Sequence, residues 1–216
     1  MIEIKSFTFN PSFYENTYVL YDETLECIIV DPGCFFKEEY DELDSFIEDY
    51  RLKPVKLINT HCHIDHVLGN AYVKNKYKIP LYIHKLDMEV LLAVKVFSEM
   101  YGFRGYEEAT VDGYLKEGDQ VDFGSSVLNV LFVPGHAPGH IALVSEEQNF
   151  AISGDVLFDG SIGRTDLPGG NYNQLIESIQ TKLFLLDDEM IIYPGHGPTT
   201  TIRKEKSTNP FCRLAI

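Results

Sequence analysis

Short apolar runs, broken by glycine, proline and acidic clusters, set the rhythm of this chain, and their period changes along its length. Met1-Ile2-Glu3-Ile4-Lys5 alternates and reads as a strand. The apolar runs 18–21 and 27–30 flank a polar Asp22-Glu23-Thr24, the pattern of a hairpin, and Asp31-Pro32-Gly33 ends its second arm. From 37 to 52, Tyr40, Leu43, Phe46, Ile47 and Tyr50 recur at helical spacing, and Pro54 closes the segment. A short strand over 55–59 runs directly into a cluster of histidines. A helix over 67–78 stopped by Pro80, a strand over 81–84 and a helix over 87–100 follow. Residues 101–118 carry no period and read as a long loop. The second half repeats the order, with strands over 127–133, 141–144 and 150–153, a helix over 173–186 and a strand over 190–193. Strands followed by helices, twice, predict an α+β chain of two mixed sheets packed face to face with helices outside. At 216 residues, one domain over 1–216 is the expectation.

Composition narrows the function. A hydrophobic fraction of 44% and a charged fraction of 24% are ordinary for a globular chain. No run reaches the roughly 18 apolar residues of a membrane helix, and the N-terminus lacks a basic start followed by an apolar stretch. No membrane partner and a cytoplasmic location are therefore expected. A formal charge of -15 repels phosphate backbones and argues against a nucleic-acid partner. Cys27, Cys34, Cys62 and Cys212 show no C-x-x-C spacing and read as free, buried thiols. Cys62 lies among the histidines, but alternation turns it away from them. Nothing in the pattern specifies an oligomer.

Three of the seven histidines fall within six residues, as His61-x-His63-x-Asp65-His66. Three further candidates follow predicted strands. His136 stands in Pro134-Gly135-His136, Asp155 in Ser153-Gly154-Asp155, and His196 in Pro194-Gly195-His196-Gly197. Strand ends are rigid supports from which loops can converge distant side chains, and glycine permits close backbone approach. Imidazole and carboxylate suit zinc, manganese or iron, and without thiolates a closed structural zinc-thiolate site is not expected. Of the other histidines, His84 reads as structural or surface, and His140 as a hydrogen-bonding neighbour of the site. Asp31 and Thr60 read equally as groups orienting imidazoles or as a turn former and a strand end.

Taken in order, Asp31-Pro32-Gly33, Thr60 through His66, Pro134-Gly135-His136, Gly154-Asp155 and Gly195-His196-Gly197 resemble the metallo-β-lactamase superfamily over most of the chain. The resemblance implies a four-layer αβ/βα sandwich and two divalent metal ions, zinc being expected and iron or manganese the alternatives. It implies that His61, His63 and His136 hold the first ion and Asp65, His66 and His196 the second, with Asp155 bridging. Asp65 and Asp155 are then the carboxylates of catalysis. Two such ions acidify a shared water into a hydroxide that attacks a carbonyl carbon, and thiolate is the easiest leaving group.

The loop Gly160 to Gly170 and the Asn209-Pro210-Phe211 tail look like those of short glyoxalase-II-like proteins. That implies a small-molecule hydroxyacyl thioester as substrate, S-lactoylglutathione being the family's reference. Arg164 in that loop would meet an anionic substrate or brace the metal loop. Larger glyoxalase II enzymes add a C-terminal helical domain that grips glutathione. The twenty residues after His196 are too few for it, which leaves the ester of another thiol open. Persulfide dioxygenases share His-x-His-x-Asp-His and a Gly-Arg-Thr-Asp loop but use one iron, and form the main rival. Tyr193 to Pro198 looks more like the hydrolases. Lactonase and β-lactamase readings stay open, a nuclease conflicts with the charge, and a binding module without turnover is at odds with the complete ligand set.

Overall fold

Strands apolar on both faces organise the computed structural model, which describes residues 1–213; they divide between two compact units. The first unit comprises Met1–Leu115 and Asp122–Val127. Its sheet contains β1 (Glu3–Phe9), β2 (Glu15–Tyr21), β3 (Glu26–Val30), β4 (Lys53–Ile58), β5 (Leu81–His84) and β6 (Gly113–Leu115), in that spatial order. β1 to β3 are antiparallel, and β3 to β6 pair in parallel. Parallel neighbours need crossovers, and helices supply them. α1 (Lys37–Asp49) links β3 to β4, α2 (Ile64–Val67) and α3 (Asn70–Tyr77) link β4 to β5, and α4 (Met88–Phe97) precedes β6. Glu39 accepts from the amides of Phe35 and Phe36 at 2.8 and 3.1 Å, satisfying donors at the start of α1.

Three expectations shift here. The helix read over 67–78 begins at Ile64 and breaks at Gly69, so Asp65 and His66 lie in its first turn. At the break the Gly69 amide donates to the Pro32 carbonyl at 2.8 Å rather than within the helix, and a Cβ there would stand 2.5 Å from Cys34 Sγ. The helix read over 87–100 ends at Phe97. The loop read over 101–118 contains β6, whose three residues are too few to show an alternating pattern.

The second unit consists of Lys116–Val121 and the chain from Leu128 onward. In order along the chain come β7 (Gln120–Phe123), β8 (Ser126–Phe132), β9 (Ile141–Ser145), β10 (Phe150–Gly154), β11 (Leu157–Phe158), β12 (Ser161–Ile162), α5 (Tyr172–Thr181), β13 (Ile191–Pro194), β14 (Thr200–Thr201) and α6 (Ile202–Thr208). The sheet order is β14-β13-β10-β9-β8-β7, with β11 and β12 a separate hairpin. β9 and β10 are buried at every position, as strands covered on both faces must be. Leu175 and Ile179 of α5 pack into a core with Val133, Val144 and Ile192. The helix read over 173–186 stops at Thr181 and gives way to a 3-10 turn at Leu183–Leu185.

Within the first unit, Asp22 ties the β2–β3 turn to residues 124–126. Its carboxylate accepts from the Thr24 amide and hydroxyl, the Ser125 amide and hydroxyl, and the Ser126 hydroxyl, at 2.6 to 3.0 Å. Gly124, at φ +55, leaves room for it; a Cβ there would come within 2.4 Å of Asp22 Oδ1. Burial alone would raise the Asp22 pKa, but these donors more than offset it and hold the carboxyl well below its ordinary value of 3.8. A carboxyl depressed in the fold adds stability that is complete above its unfolded pKa and is lost as pH falls through the folded value. Asp22→Asn is therefore expected to cost about 1–3 kcal/mol at pH 7. It should also flatten the loss of stability below pH ~4. Urea midpoints at pH 7 and pH 3 that match the wild type would refute this.

Candidate metal centre

The first unit supplies four of the seven candidate ligands. β3 and β4 pair in parallel, and the Asp31 amide donates to the Ile58 carbonyl at 3.0 Å, so Asp31 arrives beside Thr60 although 29 residues separate them. Asp31 adopts φ +49, an uncommon conformation for a residue with a Cβ, as the chain leaves β3. Its carboxylate accepts from the Thr60 amide at 2.7 Å and the Thr60 hydroxyl at 2.5 Å. That hydroxyl, its proton committed to Asp31, accepts from His61 Nδ1 at 3.2 Å, which leaves Nε2 of His61 as the unprotonated nitrogen. Asp31 Oδ2 also lies 3.2 Å from His66 Nδ1. Asp31, His61 and His66, all buried, hold one donor atom each within 4.8 Å of one another. The rings of His61 and His63 stand perpendicular, with centroids 4.8 Å apart.

Groups that sequence reasoning passed over support this half. Asp87, read only as the start of a helix, accepts the Cys62 amide at 2.8 Å and so fixes the loop between the two histidines. Asn59 donates to the His66 carbonyl at 3.0 Å and exchanges side-chain hydrogen bonds with Asn70. Glu15, fully buried on β2, accepts the Thr17 hydroxyl at 2.9 Å, and its other oxygen lies 3.9 Å from His66 Nδ1. Burial, joined by the charges of Asp31 and Asp65 and opposed by His66 and Thr17, pushes its carboxyl well above the usual range. Glu15 opens β2 in the polar stretch Glu15-Asn16-Thr17, which in sequence looks solvent-facing. Cys62 is buried, and burial pushes its thiol up. Among the described residues no cysteine joins a group able to share an ion.

In the second unit, β8 leads into Pro134-Gly135-His136. A Cβ at Gly135, which sits at φ +135, would lie 2.2 Å from the Leu175 amide nitrogen, so only glycine lets α5 seat against this turn. Ser178 of α5 donates to the Pro134 carbonyl at 2.7 Å. β10 and β13 run parallel with Gly154 beside Pro194, which brings Asp155 and His196 off adjacent strand ends. Asp155 Oδ2 lies 3.5 Å from His136 Nε2 and 3.4 Å from His196 Nε2. His136 Nδ1 is 2.7 Å from the Arg164 carbonyl; a carbonyl only accepts, so Nδ1 carries the proton and Nε2 is unprotonated. His140 Nε2 accepts the Asp155 amide at 3.0 Å. The Arg164 guanidinium chelates Asp166 at 2.7 Å through two nitrogens, holding that carboxyl at about 2. His84 Nδ1 accepts the Leu86 amide and caps the 3-10 turn Lys85–Asp87.

These donor sets fit divalent ions. Imidazoles whose Nδ1 faces an oxygen and whose Nε2 is unprotonated, beside carboxylates, are what such an ion requires. The metallo-β-lactamase superfamily pattern matches residues 11–196, and the chain belongs to that superfamily. The class so defined is the metal-dependent hydrolases of the metallo-β-lactamase fold. A probable metallo-hydrolase of Bacillus subtilis, YqgX, is 37% identical over 91% of both chains. The hydroxyacylglutathione hydrolase GloC of Haemophilus influenzae is 35% identical over 93% of both. The crystal structure of BLEG-1 B3 metallo-β-lactamase superposes with a TM-score of 0.88, at 34% identity, covering 97% of this chain and 99% of that one. The di-iron-bound form of TTHA1623 superposes at 0.85, also at 34% identity, covering 96% and 99%. No helix among the described residues is long and apolar enough to cross a membrane.

Asp31 touches Thr60 and His66 and, through Thr60, His61. Asp31→Ala is accordingly expected to weaken zinc binding about 10–100-fold. Competition with a chromophoric chelator measures this, and an affinity equal to wild type would show that Asp31 only shapes the turn.

Proposed function

We propose that the chain is a binuclear thioester hydrolase acting on hydroxyacyl thioesters. In this reading His61, His63 and His136 hold one ion, Asp65, His66 and His196 the other, and Asp155 is shared. The observation that carries it is the likeness to a hydroxyacylglutathione hydrolase over 93% of both chains, with all seven ligand positions filled. When bound, two divalent ions polarise the substrate carbonyl and lower the pKa of water toward neutrality.

The chain's own residues hold this arrangement. Asp155, its amide bonded to His140, presents Oδ2 toward both His136 and His196. His196 is the ligand of the second unit that keeps exposure, its side chain 26% accessible against 3% for His136. His196 is thus the more open of the two, and the buried His136 serves as a fixed support. Arg164 meets His136 through its main-chain carbonyl, and its guanidinium pairs with Asp166 at the surface.

Purified protein is expected to bind about two ions per chain and to release free thiol from S-lactoylglutathione. Asp155→Ala should lower the metal content and reduce kcat at least ~10²-fold. Elemental analysis with a thiol-release assay tests both. One tightly held iron per chain with oxygen consumed on glutathione persulfide would replace the hydrolase reading with a dioxygenase one. Cleavage of β-lactams or lactones without thioesterase activity would move the substrate class.

A further inference from the structure

The β11–β12 hairpin has two residues in each strand, too few to hold its own position in water. Yet it delivers Gly163 and Arg164 to the back of His136. A Cβ at Gly163 would lie 1.9 Å from the Asp155 carbonyl oxygen and 2.8 Å from His136 Nδ1, so this strand runs in direct contact with two ligand residues. What fixes the hairpin is the C-terminal helix. Glu205 of α6 is fully buried, and three donors converge on its carboxylate: the Gly160 amide at 3.0 Å, the Asn209 side chain at 2.7 Å and the Thr200 hydroxyl at 2.5 Å. Asn209, also fully buried, donates in turn to the Ser161 carbonyl at 3.0 Å. The anchors grip the hairpin at Gly160 in its turn and at Ser161, the first residue of β12. The exposed Lys204–Asp159 pair adds a contact that solvent screens.

We infer that Glu205 and Asn209 are positioning residues for the metal centre: through Gly160 and Ser161 they hold the hairpin whose Arg164 carbonyl locks His136 with its proton on Nδ1. This gives the Asn209-Pro210-Phe211 tail a task in metal binding although it touches no ligand. Leaving buried donors without an acceptor is costly, so weakening the Glu205 carboxylate frees the hairpin to seek other partners. The inference rests on the ligand role proposed for His136.

The test uses Glu205→Gln, with Lys204→Ala as control, in the full chain. In the metal-free protein, 15N NMR is expected to show His136 held as the Nδ1-protonated tautomer in wild type and Lys204→Ala, and a mixture of tautomers in Glu205→Gln. Zinc affinity for one of two sites should fall about 10–100-fold in Glu205→Gln alone. An unchanged tautomer in a folded Glu205→Gln overturns the inference even if thermal stability drops. A changed tautomer with unchanged zinc affinity leaves the tether standing and removes His136 from the ligand set. Should Glu205→Gln not fold, hydrogen exchange of the wild type decides: the Gly160 amide must exchange as slowly as the α6 amides, and fast exchange there refutes the tether.

Discussion

An imidazole can offer one nitrogen to a metal in a fixed direction only if its other nitrogen is engaged, and the architecture of this chain answers to that constraint. His61 is engaged by the Thr60 hydroxyl, His66 faces Asp31, and His136 is locked by the Arg164 carbonyl. The oxygens behind these rings are themselves held: Asp31 by two donors from Thr60, Arg164 by a hairpin anchored on α6. Parallel pairing of β3 with β4 and of β10 with β13 makes this possible, because it sets successive strand ends side by side.

The same arrangement stores electrostatic tension. Glu15 and Asp31 are buried around His66, with Asp65 beside it, and Glu15 is pushed well above the ordinary carboxyl range largely by burial. Nearby acidic groups without cations destabilise a fold unless one is protonated. A divalent ion relieves that cost, and a ligand that binds only the native state stabilises it by mass action. The metal centre is then a part of the stability of the first unit as well as of its chemistry.

Much of this was legible in the sequence because ligand chemistry demands particular residues at particular strand ends. The His-x-His-x-Asp-His cluster and the three later glycine-flanked candidate ligands stood out for that reason, and the long strands and helices showed their periods. What escaped notice escaped for physical causes. The break at Gly69 is set by Cys34 and Pro32, which are distant in sequence. β6, β11, β12 and β14 are shorter than any detectable period. Glu15, Asp87 and Glu205 act through contacts made only after folding, and each passes in sequence for a surface acid. Arg164 reads in sequence as meeting an anionic substrate or bracing the metal loop; its carbonyl lies against His136 Nδ1, and its guanidinium pairs with Asp166 at the surface.

The acidic balance of the chain and the anionic character of a hydroxyacyl thioester of glutathione set up an apparent conflict, which distance resolves. A net charge of -15 spread over the surface acts through water and salt, where fields decay within about 8–10 Å. In the first unit a bound divalent ion would oppose Asp31 and Asp65, with Glu15 held toward its protonated form by burial. A bound cation then offsets these carboxylates at contact range, where low dielectric makes each charge count most. A small anion that reaches the site meets the ions, whereas a long polyanion must lie along the acidic surface and be repelled over its length. The charge that argues against nucleic acid is thus compatible with a small anionic ester.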